Sequence, residues 1–188
     1  MLAHGAVKGG MLGQQTIEEV HELDSTTSSP LLGATLSQAR DVLYLVGGSD
    51  PKATKTEDPW LKVRCASLVQ GDGRVWSPDS ENEGVVNRRG HAAFSIQDAL
   101  YVFGGEDFQS NTLENTDSAE LTTRGLRWTT LDGVGPSKRA WAGHCIVAGT
   151  NSRDVGLVHG GRNGNLLMDD VWVLDPHQSP AWAKLATR

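Results

Sequence analysis

The chain has 188 residues, 38% of them apolar, with 22 glycines, 6 tryptophans and a formal net charge of −6. This length holds one large domain or two small ones, and the apolar fraction is enough for a core. The 17 basic residues are scattered, and only Arg88-Arg89 and Lys138-Arg139 sit together. That excludes the cation clusters phosphate binding needs, though not a local basic spot for an acidic peptide.

In chain order, the first apolar stretch is a weak strand around residues 5–8, closed by Gly9-Gly10. Residues 16–24 read as a further strand ending at Asp24, and the Ser- and Thr-rich 24–30 as a short linker. Residues 32–37 and 42–46 then form two strands, the second closed by Gly47-Gly48. A third strand follows at 61–69. Asp72-Gly73 supplies a two-residue hairpin turn into a fourth strand holding Val75 and Trp76.

The next unit is the clearest. Arg89-Gly90-His91 opens a strand at 92–96, Gln97-Asp98 makes a tight turn, and a second strand at 99–103 stops at Gly104-Gly105. A polar loop, 106–117, leads to strands at 118–122 and 126–129, the latter carrying Trp128. The last unit repeats the plan, with strands at 145–148 and 155–159, Gly160-Gly161, a strand at 171–175, and a fourth strand that ends at Trp182. Four antiparallel strands in sequence make a meander, and no stretch sustains a helical period of apolar residues. The chain reads as all-β.

Two independent markers keep one period. The later glycine pairs lie 57 and 56 residues apart, and Trp76, Trp128 and Trp182 lie 52 and 54 apart. The distance from Gly10 to Asp24 equals that from Gly161 to Asp175, fourteen positions in each case. Repeats of this length are a signature of propeller blades. The whole pattern resembles the kelch repeat of the galactose oxidase-like central-domain family: a Gly-His-like first strand, a second strand ending in Gly-Gly, a third ending near Asp, then Trp. The resemblance implies a partial kelch-type β-propeller of about four blades, at 1–30 (incomplete), 31–80, 88–132 and 139–188. Gly47, Gly48, Gly104, Gly105, Gly160 and Gly161, with the three tryptophans, are its structural markers. Complete members have six or seven blades, so a fragment of a longer protein, a truncated product, or a subunit that self-associates through unpaired blade edges is expected.

The chemistry expected is that of binding. No Gly-x-Ser-x-Gly, no Gly-Lys-Ser/Thr phosphate loop and no His-Glu-x-x-His occurs, and the six histidines lack metal-ligand spacing. No catalytic residue, cofactor or metal is assigned. Asp169-Asp170 and Arg162-Asn163-Gly164-Asn165 fit a strand start and a turn. His91 and His144 are read as structural, Tyr44 and Tyr101 as core. Cys65 and Cys145, each in an apolar run, are expected to be small buried residues. With no leader-like apolar region and no stretch of membrane-spanning length, the expected setting is cytoplasmic or nuclear.

The resemblance further implies that the loops after each Gly-Gly and those between blades share one face. Arg88, Arg89, Phe108, Arg139, Trp141 and Arg162 lie in these loops and are of the types that anchor interfaces. The expected function is a non-enzymatic protein-interaction module of scaffold or substrate-adaptor type, with an acidic or mixed peptide as partner. The alternative is a piece of a propeller enzyme, oxidase or sugar epimerase-like, whose active site lies partly in missing blades.

Overall fold

The computed structural model describes residues 32–40, 42–50, 63–67, 77–78, 87–122, 125–149 and 153–186. The expected first unit at 1–30, and Trp76, lie outside these residues.

Among the described residues, three four-stranded antiparallel sheets follow one another along the chain. The first contains β1 (Thr35–Ala39), β2 (Val42–Val46), β3 (Val63–Ser67) and β4 (Ser77–Pro78). The second contains β5 (Ala92–Ile96), β6 (Ala99–Phe103), β7 (Thr116–Thr122) and β8 (Gly125–Thr130). The third contains β9 (Gly143–Val147), β10 (Val155–His159), β13 (Val171–Leu174) and β14 (Trp182–Leu185); a small hairpin, β11 (Arg162–Asn163) and β12 (Leu166–Leu167), interrupts it after β10. Strand order equals chain order in every sheet. β5 touches both β1 and β9, so the first strands line up beside one another, as in blades set around an axis.

Sequence dictates these hairpins directly. In β5 residues alternate between buried and half-buried, the period of a strand packed on both faces. Gln97 and Asp98 join it to β6 with φ of 50° and 66°, the signs that a type I′ turn requires. The tryptophan spacing is a true register. Trp128 lies opposite Ala119 in the second sheet, and Trp182 opposite Leu174 in the third.

Among the described residues, two apolar cores lie between the sheets. Ala39, Tyr44 and Val46 of the first sheet pack with Leu100, Val102, Ala119 and Leu126 of the second, with Trp128 against them. Phe94, Ile96 and Phe103 of the second pack with Val158, Leu174 and Trp182 of the third. Within this core Trp182 lies tilted against Phe103 at 5.2 Å, and its indole N–H donates to Thr116 Oγ1 (2.9 Å). Tyr101 packs against the same core, half-buried. Size is matched across the sheets. Phe94 occupies the space that a side chain on Gly156 would need, since a Cβ there would meet its ring at 2.9 Å.

Three expectations are corrected by the packing. Cys145 is exposed, because it occupies the register position of Phe94 on the far face of the third sheet, and no described residue covers that face. His144 lies inside β9 instead of preceding it. The third-sheet residue at the position equivalent to His91 is Ala142, since Ala92 and Gly143 open their strands opposite Phe103 and His159. The strand holding Trp182 begins there and runs on to Leu185.

Candidate functional site

The sheets are joined at one end by backbone. Gly33, Gly90 and Trp141 each stand two residues before a first strand, and all adopt left-handed φ of 73°, 62° and 59°. Gly90 N–H donates to Gly33 O (2.9 Å) and Trp141 N–H to Gly90 O (2.7 Å), one rung running through all three sheets. The glycine pairs supply a second link. Gly48 N–H donates to Arg88 O (2.8 Å) and Gly105 N–H to Arg139 O (2.9 Å). A Cβ on Gly104 would lie 2.4 Å from Arg139 O, so the pair is glycine because the next sheet's backbone comes that close.

Arg88 and Arg139, expected on the loop face, are instead buried, at 0% and 1% exposure. Each guanidinium turns inward and binds the carbonyl after its own second strand: Arg88 donates to Gly104 O (3.1 Å) and Arg139 to Gly160 O (3.1 Å). Each is paired with a carboxylate, Asp117 and Asp170 respectively. The two sheets reach this arrangement differently. Gly104 N–H and Gly160 N–H donate to the carbonyls of Asn115 and Asp170, so these two residues are equivalent. In the third sheet that residue is itself the carboxylate, and Trp172 Nε1 donates to it (2.8 Å). In the second it is Asn115, whose amide donates to Asp117 two residues on (2.7 Å). Hydrogen bonding from Arg139, with further help from Trp172 and Lys184, holds the Asp170 carboxyl well below the usual carboxylate range.

His91 is also internal. Its Nε2 shares a hydrogen bond with Thr35 Oγ1 (2.8 Å), and its Nδ1 is buried without a partner among the described residues. Burial first, then the Arg88 and His144 charges, lower its pKa to about 3, so it is a neutral structural group.

Three of the four remaining expected residues, Arg89, Trp141 and Arg162, come together. Glu106, 6% exposed, directly follows Gly104-Gly105. Its Oε1 accepts from Trp141 Nε1 (3.1 Å) and Arg162 Nη2 (3.0 Å), and its Oε2 lies 3.4 Å from Arg89 Nε. Two guanidinium groups and an indole N–H thus converge on one buried carboxylate. The Arg162 side chain is 48% exposed and Arg89 27%; Trp141 is 40% exposed. The Trp141 indole lies over Gly90, where a Cβ would strike it at 2.7 Å. Phe108 is 60% exposed on the tip between Glu106 and Thr112, which pair with each other. That tip is pinned by Asp107, whose carboxylate accepts from Gln109 N–H and Asn111 N–H (both 2.8 Å). Thr112 Oγ1 donates to Asn163 Oδ1, tying the tip to the β11–β12 hairpin.

Glu106 was not among the residues singled out from the sequence. Its signal was the residue after each glycine pair: Ser49, Glu106 and Arg162 pair with Leu32, Arg89 and Ala140 in the same way, and two of them carry opposite charges. A separate cleft of about 340 Å³ lies beside Trp182, lined by Thr116, Leu131 and Val134 with the acids Glu114 and Asp132. Among the described residues no group of three His, Cys, Asp or Glu side chains is placed to hold a metal ion.

Residues 14–188 match the family described as the KLHDC2/KLHL20/DRC7 Kelch-repeats domain. A protein of Gallus gallus described as "Rab9 effector protein with kelch motifs" is 29% identical over 113 residues, covering 58% of this chain and 29% of that protein. The chain therefore spans well under two thirds of that relative's length.

Proposed function

The chain belongs to the kelch-repeat family, and from that membership we propose that it is a non-enzymatic protein-interaction module, of scaffold or substrate-adaptor type, that takes an acidic peptide segment at the Glu106 cluster. One observation carries the reading: Arg162, Arg89 and Trp141 are already oriented by a carboxylate, and Arg162 keeps half its surface in solvent. A guanidinium presents several donors in a fixed fork, which suits it to bind a second carboxylate while holding the first. Glu106 acts here as a positioning residue. It holds the donors in place, so less side-chain entropy is lost on binding. The description of the Gallus gallus relative as an effector suits a binding role of this kind.

The test is a peptide array in which each Asp- or Glu-containing sequence is matched by its Asn or Gln counterpart, probed with the wild-type chain and with Arg89→Glu/Arg162→Glu. Acidic members should bind about tenfold or more tightly than their amides, as expected for loss of a charged hydrogen-bonding partner, and the double variant should lose that preference. Equal binding of acids and amides would sink the reading. Arg139 does not belong in this test, because reversing a buried charge beside Asp170 breaks the fold.

A further inference from the structure

The cleft beside Trp182 is built by the second and third sheets. Leu131 N–H donates to Thr116 O (2.8 Å), and Trp182 Nε1 donates to Thr116 Oγ1 (2.9 Å). One wall is the stretch after β8, which runs so close that a Cβ on Gly135 would meet Trp182 Cδ1 at 3.0 Å. At about 340 Å³ the cleft is small, at the low end of ligand pockets, which run from about 300 to 1,000 Å³. Leu131, Val134, Ala181 and Trp182 give it apolar walls. Most of its polar side chains are already engaged. Asn115 and Thr130 donate to Asp117, Thr116 accepts from Trp182, and Ser137 Oγ accepts from Arg139 Nη2 (3.2 Å). Glu114 and Asp132 are both exposed, and among the described residues neither has a hydrogen bond or an ion pair. No lysine, arginine or histidine lines the cleft, and the Arg139 charge is paired with Asp170. Two carboxylates and no cation along low-dielectric walls give the cleft a negative field, whatever rotamers the two acids take.

We propose that this cleft takes a basic side chain, lysine or arginine, of a protein partner. Such a side chain lays its aliphatic stem on apolar surface and keeps its charged head at the wet rim. Here Leu131 and Val134, the latter 77% exposed, offer the apolar surface, and Glu114 and Asp132 supply the opposite charge. Charge complementarity selects this occupant. Ionised carboxylates only accept hydrogen bonds, so the ligand must bring the donors, and an anionic segment is repelled. The cleft shares no residue with the Glu106 cluster, so this reading and the acidic-segment reading above stand or fall separately.

The experiment uses an array of lysine- and arginine-containing peptides, each matched by a counterpart with norleucine in place of the basic residue, so that the stem stays and the charge goes. It is probed with the 188-residue chain, with Glu114→Gln/Asp132→Asn, and with Asp154→Asn/Asp169→Asn, which removes the same charge from residues outside the cleft. Wild type should bind the basic members about fivefold more tightly than their norleucine counterparts, the effect of two exposed ion pairs. Glu114→Gln/Asp132→Asn should lose that preference, and Asp154→Asn/Asp169→Asn should keep it. Equal binding of basic and norleucine members by wild type would overturn the inference. So would a preference that survives Glu114→Gln/Asp132→Asn, or one that falls equally in both variants. Spermidine, added as a competitor, separates a free amine from a partner's side chain. It should displace the basic peptides only at concentrations well above theirs, and displacement at equal concentration would assign the cleft to a small polyamine and overturn the inference as well.

Discussion

Replacing Arg139 and Arg162 in turn by leucine separates the arginine that builds the sheet from the one that faces a partner. Arg139 donates to Gly160 O, to Ser137 O (3.0 Å) and Oγ (3.2 Å), and to both oxygens of Asp170. Leucine would keep much of the packing and remove every one of these donors. Breaking a buried pair costs about 3–5 kcal/mol. Asp170 would retain Trp172 (2.8 Å) and Lys184 (3.6 Å), which places Arg139→Leu near the low end, about 3 kcal/mol. Arg162 is half exposed, and without it Glu106 keeps Trp141 and Arg89, so Arg162→Leu should cost about 1 kcal/mol or less. For a chain of this size each kcal/mol moves the melting temperature by roughly 2–4 °C. Thermal unfolding followed by circular dichroism should therefore show a drop of roughly 6–12 °C for Arg139→Leu and at most roughly 4 °C for Arg162→Leu. Equal losses, or an Arg139→Leu protein as stable as wild type, would refute the assignment of Arg139 to the interior.

Three further outcomes follow from the packing. Across the core between the second and third sheets, Phe94→Ser combined with Gly156→Leu reproduces the small–large pairing of Ser37 and Leu100, which hold the equivalent positions one sheet earlier; a double-mutant cycle in urea should show favourable coupling of about 1 kcal/mol or more, and strict additivity would contradict the size matching. His91 has a folded pKa of about 3 against an ordinary 6.5, so the unfolded chain binds a proton that the folded one refuses. The stability it contributes is complete above pH 6.5 and is lost as pH falls towards about 3, by up to tenfold in the folding constant per pH unit; His91→Gln should flatten the stability profile between pH 6.5 and 5, a window above most carboxylate titrations. Gln97→Asn with Asp98→Gly relieves two left-handed non-glycine residues at the loss of an exposed ion pair with Arg40, for a net gain of about 1 kcal/mol by thermal melting.

How far the sequence could be read depended on whether the interaction was local or between sheets. β5 and β6 matched the expected strands residue for residue, because alternation and a two-residue turn are local properties. The tryptophan spacing held for Trp128 and Trp182 because both occupy one register position in successive sheets. Arg88 and Arg139 misled because charged side chains are mostly exposed unless paired, and their partners Asp117 and Asp170 lie 29 and 31 residues away. Cys145 misled for the opposite reason. Its apolar run satisfies the pattern of a buried strand, but burial also needs a neighbouring sheet. Trp141 hid its role because it fills a position held by Gly33 and Gly90 in the preceding sheets; a bulky residue in left-handed backbone is a strained exception that spacing alone does not reveal. Of the six expected recognition residues the structure gathers Arg89, Trp141 and Arg162 around a seventh, Glu106, which was visible only once the residues after each glycine pair were compared.

The most direct test of the acidic-segment site is a titration of the ¹⁵N-labelled chain with the tightest-binding acidic peptide of the array, read at the indole and arginine side-chain N–H signals. The account predicts that Trp141 Nε1–H and the Nε–H signals of Arg162 and Arg89 shift with peptide, while Trp182 Nε1–H, bonded to Thr116 in the core, stays in place. Shifts centred instead on the cleft beside Trp182, or on the exposed face of Cys145 and Val147, with Trp141 and Arg162 unmoved, would contradict it.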